Sequence, residues 1–158
     1  MFAGFPVECF PMKVSISTLL AQKEPQLFVV PSTATVAQAV KEMNSHRVGC
    51  VVVMDGETPV GVFTERDVLQ RVVDAGVPPA TTPISQVMTT PVETVPADMS
   101  IDDAMITITE KRHRHLPIME EGKLIGLISI GDITRWLVAA HKNENENLWH
   151  YITGTYPS

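Results

Sequence analysis

Two short stretches of the chain set a hydroxyl three residues ahead of a carboxylate, where an apolar run gives way to a charged one. They are "GVFTERD" (61–67), with Thr64 and Asp67, and "GLISIGD" (126–132), with Ser129 and Asp132. The spacing supports two chemistries. If a strand ends and a helix begins here, Thr64 and Ser129 are N-cap residues and each acid reaches back to the cap amide, a capping box. Such a cap contributes about 1 kcal/mol and carries no function. The same helix start also offers free N–H groups and a positive dipole end to an anion such as phosphate. A carboxylate just inside it can accept two hydrogen bonds from the adjacent hydroxyls of a ribose. Residue type alone leaves both open.

The other concentration of chemical groups is "KRHRH" (111–115), a basic patch in a chain of formal charge −6. Lys111 and Arg112 read as a solvated helix end, where cations complement the dipole. Arg114 and His115 lead into an apolar strand instead, and an arginine there can hold a phosphate through two parallel hydrogen bonds. His115 would add pH sensitivity to such a site. For a metal, His113 and His115 lack a Cys or carboxylate at the usual spacing. Catalytic signatures are missing: the sequence has no Gly-x-Ser-x-Gly, no Walker loop and no HExxH. Cys50 opens an apolar run and reads as a small buried hydrophobe, and Met43, Met88, Met99, Met105 and Met119 read as core filler. The expectation is a protein without enzyme activity.

Composition narrows the class. The 158 residues are 44% hydrophobic, enough for one compact domain or two small repeats sharing a core. Net acidity argues against nucleic acid as the main partner, while leaving room for a small basic pocket. Cys9 and Cys50 fit no metal or disulfide spacing, which favours a reducing compartment. No apolar run approaches the roughly 18 residues of a membrane helix. "MFAGFPVECFPMKVS", interrupted by Pro6, Glu8 and Pro11, makes a poor signal peptide. A cytoplasmic location is expected, with residues 1–13 a loose extension and Met12-Lys13 an alternative start.

The elements that must position these groups come from a repeat. Residues 29–67 align without a gap on 94–132, a shift of 65. Identities fall at Val30/Val95, Pro31/Pro96, Ala39/Ala104, Arg47/Arg112, Gly61/Gly126 and Asp67/Asp132. Each copy reads as strand, helix, strand, strand, helix. "LFVV" (27–30) and "VETV" (92–95) are short strands closed by Pro31 and Pro96. Val36, Ala39, Val40 and Met43, echoed by Ile101, Ala104, Met105 and Ile108, trace the apolar stripe of a helix. "CVVVMD" and "HLPIME" are strands, turned at "DGETP" and "EEGK" into "VGVF" and "LIGLI". Closing helices are expected over 65–75 and from 130 to 142 or beyond, and "GVPPATTP" (76–83) is a helix-free linker. Neither half looks able to bury its sheet alone, which predicts a shared core and pseudo-twofold symmetry. The expected divisions are 1–13, repeat 1 with its linker at 14–80, repeat 2 at 81–142, and a helical tail at 143–158.

On "V-P" after the first strand, "RHLPI" (114–118) and the paired "GVFTERD" and "GLISIGD", the chain resembles paired cystathionine-β-synthase (CBS) domains, the Bateman module. Its "TERD" and "SIGD", and a tail like "YITGTY" (151–156), resemble the stand-alone type. The resemblance covers about residues 14–140. It implies an α/β (α+β) fold of two tandem β-α-β-β-α repeats, and a nucleotide in each cleft between them. Carried over, cleft one joins Thr64, Arg66 and Asp67 to Met88, Thr89, Arg114, His115, Leu116 and Pro117. Cleft two joins Ser129, Gly131 and Asp132 to Leu20, Gly49, Cys50 and Val51. Repeat 1 departs from the pattern: Gly49 and Cys50 stand where repeat 2 has Arg114 and His115, so equal affinity of the clefts is not expected.

The implied ligand is an adenine nucleotide, AMP first, with ADP, ATP or NAD(H) as alternatives. The implied role is energy or redox sensing passed to a regulated protein partner, with no membrane or nucleic-acid partner. The competing reading is a ligand-free dimerisation module whose Thr/Ser-x-x-Asp motifs serve only as caps. Ile133, Trp136, Leu137 and Ala140 extend an apolar face along the closing helix. "HKNENEN" (141–147) interrupts it before "LWHYI", where Trp149 and Tyr151 need covering. Dimers through the closing helices are what the resemblance implies.

Overall fold

A computed structural model describes residues 14–24 and 27–153, with side chains up to residue 142. The expectations for residues 1–13, for the side chains of Trp149 and Tyr151, and for the end of "YITGTY" lie outside the described residues.

The repeat is realised as two sheets of the same build. In the first, β1 (Val29–Pro31) runs parallel to β2 (Cys50–Asp55), which pairs antiparallel with β3 (Thr58–Thr64). The second has β4 (Val95–Pro96), β5 (His115–Glu120) and β6 (Lys123–Ser129) in the same order and sense. Even the register irregularity recurs, between Val53 and Met54 and between Ile118 and Met119. The tight hairpins that follow use left-handed backbone at Gly56, and at Glu121 and Gly122. The first strand of each copy lies later than expected. Leu27, Val92, Glu93 and Thr94 stay outside the ladder, Phe28 gives it only its carbonyl, which accepts from Val52 N–H at 3.0 Å, and Pro31 and Pro96 are its last paired residues rather than stops beyond it. A missing N–H is tolerated at the edge of a sheet.

The helices between the strands follow their apolar stripes. Helix α2 (Val36–His46) is closed at its start by a capping box of Thr35 and Gln38. Helix α4 (Ile101–Lys111) begins at Ser100, whose hydroxyl accepts from the Asp103 N–H. Both end on an arginine in the left-handed region, Arg47 and Arg112, each with φ 55°. The closing helix of repeat 1 starts as α3 (Glu65–Asp67) and then widens over Val68–Val73, where Asp74 N–H bonds to Leu69 C=O. Helix α5 (Ile130–Thr153) runs unbroken through the polar 141–147 stretch.

One element was not expected. Helix α1 (Ile16–Gln22) precedes repeat 1 yet packs on repeat 2: Ile16 N–H bonds to Met99 C=O, Ser17 N–H to Ala97 C=O, and Ile101 N–H to Val14 C=O. The linker does the mirror job. A short turn at Ile84–Gln86 packs on repeat 1, where Ile84 N–H bonds to Ala34 C=O and Val36 N–H to Thr82 C=O. Each repeat therefore has a core of its own. One holds Val36, Val51, Val53, Phe63 and Ile84, and the other Ile16, Ile101, Leu116, Ile118, Ile128 and Ile133. What the repeats share is smaller than expected, a layer of Cys50, Val52, Val62 and Leu127 where the sheets meet. The segment preceding each repeat packs into the core of the other repeat, burying apolar surface that would otherwise have demanded a common core. Among the described residues no helix is long and apolar enough to cross a membrane.

Candidate functional site

The two Thr/Ser-x-x-Asp motifs stand at strand-to-helix junctions, as their spacing requires. In repeat 1, Asp67 Oδ2 accepts from Thr64 N–H at 2.9 Å and from its hydroxyl at 3.0 Å, while Thr64 Oγ1 accepts from Asp67 N–H at 3.3 Å. In repeat 2 the same atoms of Asp132 and Ser129 lie at 2.8, 3.0 and 3.2 Å. Both capping boxes are complete. Capping occupies only one oxygen of each acid. Asp67 Oδ1 faces the linker and accepts from the Thr89 hydroxyl at 2.9 Å, with Arg71 Nε at 3.5 Å.

Asp67 looks onto a cavity of about 410 Å³ between the repeats. The size falls in the range of about 300–1,000 Å³ typical of small-molecule sites. Thr64, Arg66, Asp67 and Thr89 line it from one side; Arg114 and His115 do so from the other. The structure thus brings together six of the nine residues expected in cleft one. The other three form its backing. Leu116 and Pro117 are fully buried in the sheet, and Met88 packs over Gly61. Seven lining residues were not anticipated in this cleft: Val62, Glu65, Gln70, Arg71, Arg112 and His113, and Gly49, which was expected in cleft two. Arg112 caps α4 and is exposed there, the solvated helix end expected of it, and it lines the cleft as well. Its left-handed backbone turns the chain at that point, and its identity with Arg47 in the repeat was the available signal for a second role. Arg71 is one helical turn after Asp67, and its guanidinium also donates to the Met88 carbonyl. Arg66, Arg112 and Arg114 have no ion pair among the described residues, so the cleft presents uncompensated positive charge.

The second cleft is smaller, about 180 Å³. Ser129, Asp132, Gly49 and Cys50 line it, together with Arg47, Val48, Leu127, His115 and Lys23. Gly131 is exposed at the start of α5 outside that lining, Val51 is buried in the core, and Leu20 packs over Gly126. Lys23 had no sequence signal, because its partner is Asp132, 2.8 Å from its Nζ and far along the chain. His115 and Gly49 border both clefts.

Electrostatics differ between the groups. Burial alone would push the Asp132 carboxyl up, but the Lys23 ammonium and the Ser129 N–H and hydroxyl outweigh it and hold it below its ordinary value. Burial lowers His115 below its usual range, against the pull of Asp132, so it is neutral at pH 7. Burial, helped by the Asp67 charge, pushes the Cys50 thiol up to about 12. A thiol of that kind is protonated and unreactive at neutral pH. Among the described residues no three His, Cys, Asp or Glu side chains are grouped to hold a metal ion.

Known proteins share this architecture. The family model "CBS domain" matches residues 23–74 and 84–139. CBSX3, a mitochondrial CBS domain-containing protein of Arabidopsis thaliana, is 35% identical over 127 residues, covering 77% of this chain and 62% of that protein. The CBS domain-containing protein YhcV of Bacillus subtilis is 29% identical over 128 residues, 81% of this chain and 87% of its own. Among solved structures, a CBS domain protein of Pyrobaculum aerophilum complexed with AMP superposes with a TM-score of 0.67 at 29% identity. That match covers 75% of this chain and 89% of the other.

Proposed function

The chain belongs to the CBS domain family, and on that premise we propose that it is a regulatory module that binds an adenine nucleotide in the cleft between Asp67 and Arg114. The carrying observation is the pairing, across one 410 Å³ cavity, of a fixed carboxylate with a wall of unpaired arginines. Asp67 has one acceptor position left on Oδ1 for a ribose hydroxyl, and rotation of the Thr89 hydroxyl frees a second for its neighbour. Arg114, Arg112 and Arg66 supply charge for phosphate. The relative solved with AMP supports AMP as the first candidate, with ADP, ATP and NAD(H) behind it. No chemistry on the nucleotide is part of the proposal, since the nearby thiol of Cys50 is protonated. A ligand touching both repeats shifts their arrangement only as far as its affinity differs between two states, and that difference is what a protein partner would read.

The structural alternative has its own support: both capping boxes are closed without any ligand. Exposed Leu69, Val73 and Val138 on the closing helices suit a homodimer in either case. A thermal-shift panel with AMP, ADP, ATP, NADH and S-adenosylmethionine separates the two, because a ligand of the folded state raises the melting point. A rise with an adenine nucleotide is expected; no rise with any of them would leave the capping role alone.

A further inference from the structure

The two clefts are built on the same carboxylate, but only in cleft two does a cation from the far end of the chain sit in hydrogen-bond contact with it. Lys23, the residue that ends α1, lays its ammonium 2.8 Å from Asp132 Oδ2 and 3.0 Å from the Leu127 carbonyl. The carboxylate is left with Oδ1, touched at 3.4 Å by a largely exposed Arg135. Both members of the Lys23–Asp132 pair are mostly buried, at 21% and 11% exposure, so salt screens it less than a surface pair.

In cleft one the cation nearest the carboxylate is Arg71, on the same helix as Asp67, half exposed and no closer than 3.5 Å to Oδ1. Helix α1 and the linker turn occupy matching places: Ile16 and Ile84 are both fully buried, and Leu20 covers Gly126 as Met88 covers Gly61. That correspondence sets Lys23 against Pro91, which has no side-chain donor. Asp67 meets the hydroxyl of Thr89 instead. The cavities follow the same division. Lys23 and Asp132 together line both the 180 Å³ cleft two and a separate 470 Å³ pocket between α1 and α5, beside Trp136. The ion pair is the shared wall, and cleft two alone is too small for a nucleotide by the usual measure of about 300 Å³.

We infer that Lys23 is an internal plug: it holds Asp132 in the ligand-free protein, so cleft two is a latent nucleotide site opened only when the ammonium leaves. This rests on the nucleotide reading given above for cleft one. A ribose diol and the ammonium compete for the same carboxylate, and release of Lys23 merges the two cavities.

The test uses the full chain. In titration calorimetry with AMP, Asp67→Asn removes cleft one and exposes what cleft two can do. Lys23→Met, which keeps the aliphatic stem, should raise AMP affinity in the Asp67→Asn background by about tenfold or more. Adding Asp132→Asn should cancel the gain. A loss of affinity on Lys23→Met would mean that Lys23 holds the ligand and does not plug the site; no change would equally overturn the inference. A second readout needs no nucleotide. Acylation of Lys23 by an amine-reactive ester, followed by peptide mass spectrometry, should be slow in the wild type and faster in Asp132→Asn. Equal rates would overturn the plug even if cleft one binds AMP. Faster labelling without AMP binding in any variant would uphold the ion pair and overturn the nucleotide reading and the latent site together.

Discussion

Asp67 serves two purposes in this account, and substitutions can separate them. Asp67→Ala removes the acceptor of the Thr64 N–H at 2.9 Å and of two hydroxyls, those of Thr64 and Thr89. The hydroxyls can rotate to other partners, whereas the amide is fixed at the end of β3. One stranded donor at a 4% exposed site costs about 1–3 kcal/mol. For a chain of this length that lowers the melting point by about 4–8 °C, taking the middle of the range. Asp67→Asn keeps a neutral oxygen for the amide and gives up mainly the charge near the helix start, about 0.3–1 kcal/mol. Its melting point should fall by only about 1–4 °C. Nucleotide affinity should respond differently, because a ribose diol hydrogen-bonds to the charge itself. Losing charge-assisted bonds worth about 1.5–3 kcal/mol weakens binding by about 10–150-fold in both variants. The assay is calorimetric titration with AMP beside differential scanning calorimetry of each variant. Asp132→Ala should weaken binding less than Asp67→Ala. An Asp67→Asn protein that binds as tightly as the wild type would refute the ribose role and leave only the cap.

Three other outcomes follow from the same geometry. A Cβ on Gly61 would meet Met88 Sδ at 2.5 Å and the Thr89 backbone oxygen at 3.0 Å, whereas one on Gly126 meets only the flexible end of Leu20 at 2.9 Å. Gly61→Ala should cost about 1–3 kcal/mol in urea unfolding and Gly126→Ala less than about 1.5; the reverse order would contradict the packing. His115 is neutral in the fold because burial lowers its pKa, while the unfolded chain takes up a proton below its ordinary 6.5. Its contribution is therefore intact above pH 6.5 and is lost as pH falls from there through the lowered folded value. His115→Gln should flatten stability against pH in that window, and an unchanged slope would refute the assignment. Leu69 and Val73 are 65% and 67% exposed on the closing helix. The double change Leu69→Glu with Val73→Glu should turn a dimer into a monomer by light scattering, and a dimer that persists would locate the interface elsewhere.

Most of the fold was legible because the gapless repeat tested every assignment twice. The apolar stripe of Val36, Ala39 and Met43 and its echo at Ile101, Ala104 and Ile108 carried α2 and α4, and "CVVVMD" and "HLPIME" coincide with β2 and β5. Helix α1 escaped because its counterpart is the Ile84 turn, which lies 68 positions on from Ile16, so the 65-residue shift that aligns the repeats misses it. At the site, local chemistry was readable and long-range chemistry was not. The capping boxes follow from a three-residue spacing. The Lys23–Asp132 pair joins residues 109 apart, and Arg112 reaches cleft one only through its left-handed backbone.

The central claim, that Asp67 and the facing arginines hold an adenine nucleotide, is tested most directly by a crystal structure of the protein grown with AMP. The prediction is a nucleotide in the cleft between the repeats, its ribose hydroxyls on Asp67 and its phosphate toward Arg114. An empty cleft one in crystals grown at saturating AMP, or AMP bound with its ribose away from Asp67, would contradict it.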